Sequence, residues 1–392
     1  MNSAPHGDEA ALDRLLGATL AANRLAPTLS TAGVQSLQAR AAEQDVDVLL
    51  ASIICGTENQ VPAGLREQAM ATIAAAELRA LLRYRELCRL SAAFAAQSVD
   101  VILLKGSGLA YTIYPHPHLR PARDIDLFIA RESRDGAERA LAGCGYVRMR
   151  EPDGEVAVAQ RHYVRRDGNG INHFVDLHWR ISNARAFAGA LTFEEAWMSS
   201  ILVPEVTPGA RTLRVADALL LGCIHRVAHH QDGIDLLWLW DIHLLARRLP
   251  ADEWDQLGDR AERTGVRAVC GRGLELARGL FDSPVPQTVL DRLATREHAE
   301  PTAAFVGGTL REIDVLRADL RATAAWRQRG TLLAEHLFPA PAYMRSIYGP
   351  RGRLGLLFAY AERLGRGRRR WFLPRRSERR STREPAAGSV RR

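Results

Sequence analysis

Lysine is almost missing from this sequence. Among 53 basic residues Lys105 is the single lysine, and all the others are arginine. With abundant Ala, Leu and Gly, this bias reads as codon drift in a GC-rich genome. A lysine that survives such drift is either a chance remnant or marks a place where a planar guanidinium cannot replace a compact ammonium. Other shortages exclude whole classes. The five cysteines (Cys55, Cys88, Cys144, Cys223, Cys270) are odd in number and lack CxxC spacing. They read as reduced thiols, neither a disulfide framework nor a zinc site. No apolar run reaches the roughly 18 residues of a membrane-crossing helix. The opening stretch MNSAPHGDEAALDRLL is acidic, where a secretory signal would be basic and then apolar. A cytoplasmic location is therefore expected.

What is present is ordinary in bulk: 47% hydrophobic and 25% charged residues over 392 positions. That composition excludes wholesale disorder and fibrous repeats, and the length allows two or three domains with real cores. The net charge of +8 is unevenly placed. Residues 363–392 hold twelve arginines against Glu378 and Glu384, a surplus of ten, which leaves the preceding body at −2. The chain reads as a near-neutral globule with a basic tail.

The first hundred residues carry helical spacing: Leu12, Leu15, Leu16 and Leu20, then Met70, Ile73, Leu78, Leu81, Leu82 and Cys88 between about 65 and 97. At Val99 the character changes. VDVILL (99–104) is a β-branched apolar run, and KGSG follows it directly. A short helix (SGLAYTIY), a Pro/His loop (PHPHLRPAR, 115–123), DIDLFIA (124–130) and a helical stretch (133–146) come next. Two strand-like segments, 156–166 and 171–181, flank the turn DGNG. The order β-α-β-α-β-β predicts an α+β fold with a small mixed β-sheet. Helical periodicity returns from about 190, in FEEAWMSSIL, RVADALLLGCIHRVAHH and DLLWLWDIHLLARRL. The proline-broken LFPAPAYMRSIYGP (337–350) closes that part, and an amphipathic helix near 353–364 leads into the tail.

Strand periodicity puts Asp124, Asp126 and Phe128 on one face of DIDLFIA. Two carboxylates so placed are uncomfortable as anions without a cation between them. Asp176 repeats the situation in FVDLHW. If the two strands are neighbours, three carboxylates converge into an oxygen-rich site suited to Mg²⁺ and a triphosphate. The bland alternative is a solvent-facing edge strand. A strand running into Gly106-Ser107-Gly108 and then a helix has the geometry of a phosphate cradle, because glycines admit close approach and a helix start offers free N–H groups. It is neither a Walker A motif nor GxGxxG. Lys105 stands beside it within reach of a phosphate oxygen or a reacting hydroxyl, and Arg120 and Arg123 are further candidates for phosphate contact.

A strand ending in Gly-Ser, a strand with Asp-x-Asp and a third acid on a later strand resemble the DNA polymerase β-like nucleotidyltransferases. More narrowly, VILLKGSGLAYTIYPHPHLRPARDIDLFIA followed by FVDLHWRI is similar to a poorly characterised bacterial nucleotidyltransferase family with KG, R-x-x-x-DIDL and VDLHW segments. CIHRVAHH, LLWLWDIHLLARRL and LFPAPAYMRSIYGP resemble its helical C-terminal half, so the likeness spans most of residues 70–365. The resemblance implies transfer of a nucleoside monophosphate from an NTP to an acceptor, with pyrophosphate leaving. Asp124 and Asp126 would hold two Mg²⁺ ions, Asp176 would share the one that activates the acceptor, and Gly106 and Ser107 would hold the triphosphate. ATP is the default donor; the acceptor is a small molecule, a peptide or a protein. Ser107 and Asp124 lie 17 positions apart, longer than in many such enzymes, which predicts that the PHPH loop lies over the site. The implied organisation is a helical region (1–98), a nucleotidyltransferase core (99–185), a helical domain (186–350) and an amphipathic helix with basic tail (351–392).

Competing readings remain at this level. A non-catalytic nucleotide-binding or regulatory protein could keep the fold, although an intact acidic triad argues against it. An RNA-directed transferase would want a basic body, which this chain lacks. His225 and His229, four apart on a helix with His230 beside them, are half of a zinc site, packing histidines or cleft-lining polar groups. His178 shares a face with Asp176 and either orients it, touches substrate or is a core histidine. Trp238 and Trp240 read as core. The arginine tail is a solvated extension, or binds nucleic acid or an anionic membrane.

Overall fold

The computed structural model describes residues 5–56, 61–230, 232–294, 300–307, 310–349 and 352–372. The tail beyond Phe372, and the side chains of His229, His230, Trp371 and Phe372, lie outside the description. Four helices come first: α1 (Pro5–Ala22), α2 (Thr31–Glu43), α3 (Asp47–Gly56) and α4 (Ala63–Ala96). The last buries Ala69, Ala76 and Ala80 and leaves Met70, Leu78 and Leu81 exposed. Small side chains thus set its inward face in the first half, where it packs on α3, while Leu87, Leu90 and Phe94 are buried in the second half.

Next come β1 (Ile102–Leu103), α5 (Lys105–Thr112), β2 (Ile125–Phe128), α6 (Arg134–Gly143), β3 (Val147–Arg148), β4 (Gln160–Arg166) and β5 (Asn172–His178). After α7 (Phe193–Ser199), β6 (Ile201–Leu202) and β7 (Arg211–Thr212) complete a sheet ordered β3-β4-β5-β2-β1-β7-β6. The fold is α+β with a mixed sheet, and three two-residue strands extend it beyond the sequence expectation. FEEAWMSSIL illustrates the difference: its helix stops at Ser199, and Ile201–Leu202 pairs with β7. β1 runs antiparallel to β2, while β2 and β5 run parallel in the register Asp126↔Asp176.

The sheet has two different sides. Ile125, Leu127, Val175 and Leu177 pack with Leu87, Leu90 and Phe94 of α4 and with Ala137, Ala140 and Leu141 of α6. Phe128, on the opposite side, joins a larger core shared with the first three helices and with α8 (Val215–His230), α9 (Leu236–Arg248), α10 (Glu253–Arg263) and α11 (Arg267–Phe281). Gly108 lets α5 cross the sheet at contact distance. A Cβ there would sit 1.9 Å from Thr212 Oγ1 and 2.9 Å from the Leu103 carbonyl oxygen.

The chain continues through α12 (Gln287–Ala294), α13 (Glu312–Ala322), α14 (Trp326–Leu337), α15 (Pro341–Tyr348) and α16 (Gly352–Phe372). The segment that reads as proline-broken is helical over α15, because Pro341 occupies its first turn, where the missing N–H costs nothing. Glu335 of α14 ties this end to the sheet region: its carboxylate accepts the backbone N–H groups of Glu155 at 2.8 Å and Ala157 at 2.7 Å.

Candidate active site

The chain leaves β1 through Lys105, whose φ of +46° turns the backbone sharply into α5. Few side chains other than glycine, asparagine or aspartate adopt that left-handed conformation without strain. Ser107 is fully buried, and its Oγ accepts the Asp126 backbone N–H at 3.2 Å, while the Leu104 N–H donates to the Asp126 carbonyl at 3.0 Å. The glycine turn and the aspartate strand are thereby locked together. Gly106 lies flat against its neighbours: a Cβ would meet Ala122 Cβ at 3.1 Å and Arg120 Nη1 at 3.3 Å.

The in-register pairing of β2 and β5 sets Asp126 beside Asp176 on one face, and Asp124 borders the same cleft just before β2. One oxygen of Asp126 accepts two hydrogen bonds, from Lys105 Nζ at 2.6 Å and from His178 Nε2 at 2.9 Å. His178 thus serves Asp126 on the neighbouring strand, and not Asp176 two residues before it. Burial works against charge on Asp126, yet Lys105 and His178 hold its carboxyl below the usual carboxylate range. Burial would likewise lower the Lys105 ammonium, but Asp126 and Asp124 outweigh it and keep the pKa raised. Asp176 is less well compensated: the nearest cationic group is His162, 3.5 Å away. Burial and the charges of Asp126 and Asp124 push it up to about 7, and burial with Asp126 also raises Asp124.

This charge imbalance favours a bound cation. One buried and two half-buried acids share one ammonium, and donor atoms of Asp126, Asp176 and His178 all lie within 4.8 Å of one another. They are the one such group of His, Cys, Asp and Glu among the described residues. An oxygen-rich pocket with surplus negative charge suits a divalent metal.

The cleft holds about 580 Å³ and is walled from four directions. Asp45 and Asp47 come from the α2–α3 corner, Arg79 from α4, Gln160 and the acids from the sheet, and His225, Leu237 and Trp238 from α8 and α9. Residues 30–282 match a protein family described as an uncharacterised nucleotidyltransferase. The chain belongs to this family. Among curated proteins none matches. The family match begins in the N-terminal helices, earlier than the motifs suggest, and ends in the turn after α11. LFPAPAYMRSIYGP therefore lies outside it.

Other expected residues divide between the cleft wall and its surroundings. Arg120, which the sequence suggests as a phosphate contact, lines the cleft with its guanidinium held by Asp241. Nε and Nη2 donate to that carboxylate at 2.8 and 2.7 Å, Nη1 turns to the Pro121 carbonyl, and the pair is buried. Arg123 pairs with Asp45 at 3.0 Å on the rim. The PHPH loop does not cover the acids: Pro115, Pro117 and His118 line a separate groove with Tyr84 and Tyr111. Arg83 holds the loop there by donating to the carbonyls of Arg120 and Ala122, each at 3.1 Å. His225 lines the cleft edge-on to Trp238, 5.3 Å between ring centres, and belongs to no metal-suited group among the described residues. Trp240 is core, stacked on His243, whereas Trp238 is buried yet borders the cleft.

Sequence reasoning misses His162. It lies opposite Asp176 in the β4–β5 register, with Nε2 at 3.5 Å from Asp176 Oδ2 and Nδ1 on Glu151. The Glu151 hydrogen bond raises its pKa. Alternation in AQRHYVRR could have placed it on the same face as Gln160, but nothing local to β4 announces which residue it opposes.

Proposed function

We propose that this protein is a metal-dependent nucleotidyltransferase that moves a nucleoside monophosphate from an NTP, ATP by default, onto an acceptor hydroxyl or similar group. The juxtaposition of Asp126 with Asp176 in register, beside Asp124 and the Lys105-Gly106-Ser107 turn, carries this reading. An acceptor oxygen would bond to the α-phosphorus as the α–β phosphoanhydride bond breaks. Pyrophosphate would leave, and the acceptor proton would pass to solvent or a nearby base.

Asp124, Asp126 and Asp176 are the residues suited to hold Mg²⁺, which when bound would supply charge neutralisation for the phosphates and a lowered acceptor pKa. The protein's own contributions are positional. His178, whose pKa burial and Lys105 lower, fixes the rotamer of Asp126 through its 2.9 Å hydrogen bond. Lys105 offers a compact cation at the mouth of the glycine turn, able to shift from Asp126 to a phosphate oxygen as substrate enters. Gly106 and Ser107 keep the turn flat enough for phosphate approach, and Arg120 backs that turn from behind, positioned by Asp241.

The test is incubation with Mg²⁺ and each α-labelled NTP, with a cell extract as acceptor source. Label transfer is expected for the wild type and should be abolished in Asp124→Asn and Asp176→Asn, with unchanged circular dichroism. Undiminished transfer in either variant overturns the assignment.

A further inference from the structure

We propose that the outer face of α16 docks on an anionic lipid bilayer, with the arginine-rich residues after it providing the charge contact. α16 turns one face to the body. Ala359 is buried, Tyr360 donates its hydroxyl to the Pro339 carbonyl at 2.6 Å, and the Tyr360 ring meets Phe338 edge-on at 5.9 Å. The other face is apolar and open: Leu354 is 73% exposed, Leu357 64% and Phe358 75%. Spaced i, i+3, i+4, these three form one ridge. Single exposed leucines are commonplace, but a contiguous apolar ridge marks a contact surface.

The sequence beyond the ridge is as one-sided as the ridge itself. Twelve arginines and two glutamates occupy residues 363–392. An apolar helix face joined to a cationic stretch is the composition of a helix lying in a bilayer interface, where apolar side chains enter the acyl boundary and arginines meet lipid phosphates. The attachment is peripheral, since no helix among the described residues is long and apolar enough to cross a membrane.

Other occupants satisfy only half of this surface. RNA would take the arginines but offers nothing to bury Leu354, Leu357 and Phe358. A second copy of the chain could cover the ridge, yet it would bring the same arginine surplus and a body of only −2 to meet it. An anionic bilayer meets both halves at once. The ridge is formed by residues outside the cleft, so the proposal does not depend on the nucleotidyltransferase reading.

Co-sedimentation of the full chain with vesicles tests it. Binding is expected to phosphatidylcholine vesicles containing phosphatidylglycerol, at least about tenfold weaker on phosphatidylcholine alone, and weakened by salt. The triple variant Leu354→Ser, Leu357→Ser, Phe358→Ser removes apolar groups that already face solvent, so circular dichroism and label transfer should not change. Its vesicle affinity should fall at least about tenfold with its charge intact. Replacing Arg375, Arg376, Arg379, Arg380 and Arg383 by Gln should weaken binding to the anionic vesicles alone. Absence of binding to either vesicle overturns the proposal, as does full binding by the triple variant. A wild-type dimer that the triple variant converts to monomer, without vesicle binding, would assign the ridge to a second copy instead.

Discussion

Lys105 combines three properties: it is the single lysine, its backbone is left-handed, and its ammonium bridges to Asp126 at 2.6 Å. A guanidinium is planar and longer, and cannot occupy that small space between carboxylate and turn. Lys105→Arg is therefore expected to lower kcat/KM on the order of a hundredfold, as small misplacements of a reacting group do, while the melting temperature stays near that of the wild type. Equal activity in the arginine variant would make the lysine a remnant. At this scale the sequence was most informative. Asp124, Asp126 and Asp176 announce themselves through strand periodicity, and the lysine through its solitude. Their hydrogen-bond partners were hidden, because His178 reaches across to Asp126, and His162 meets Asp176 only through the β4–β5 pairing. The partner of Arg120 was hidden for a related reason: in a chain so rich in arginine, nothing local says that one of them is matched by an aspartate 121 residues away.

Elements were legible in proportion to their length. Long helices such as α4, α8 and α9 and the β4–β5 hairpin carry enough residues for a period to show. β3, β6 and β7 have two residues each, too few to display alternation. They exist because the edges of the sheet supply partners. α5 depends on a position that reads only as part of a phosphate motif. Gly108 is tightly constrained from outside its helix, with Thr212 Oγ1 and the Leu103 carbonyl in the space a methyl group would need. Gly108→Ala is expected to destabilise the protein by about 1–3 kcal/mol through overpacking, measured as a lower denaturant midpoint at unchanged slope. Thr212→Ala in the same chain should recover part of the loss, since one of the two obstructions goes. No destabilisation by the single change would mean that α5 can lift away from β7 freely.

For the whole molecule, the sequence named the ingredients and not their meeting. α2, α3, α4, the sheet, α8 and α9 each contribute to one cleft, and these contacts span nearly two hundred residues of chain. The Arg120–Asp241 pair, joined by the Tyr114 hydroxyl at 2.7 Å from Asp241, is where the sheet's motif loop is fastened to the helical half. Both charges are buried, so removing one strands the other. Asp241→Ala should cost roughly 3–5 kcal/mol in chemical denaturation, and replacing the pair together by Met and Leu should restore much of it. If the single variant is as stable as the wild type, the two halves are held by their apolar core alone. The same fastening links a residue of α9 to the glycine turn, since Arg120 stands against Gly106.

A chain with one lysine offers amine-selective chemistry a single side-chain target, and here that target lies inside the cleft. Reductive methylation or acylation would install one isotopic or spectroscopic reporter beside Asp126 with no engineering of the protein. The extent of labelling would measure how often the ammonium is released from its carboxylate. Protection from the reagent by a nucleotide would make the same amine a footprint of occupancy, readable by mass before any acceptor is known.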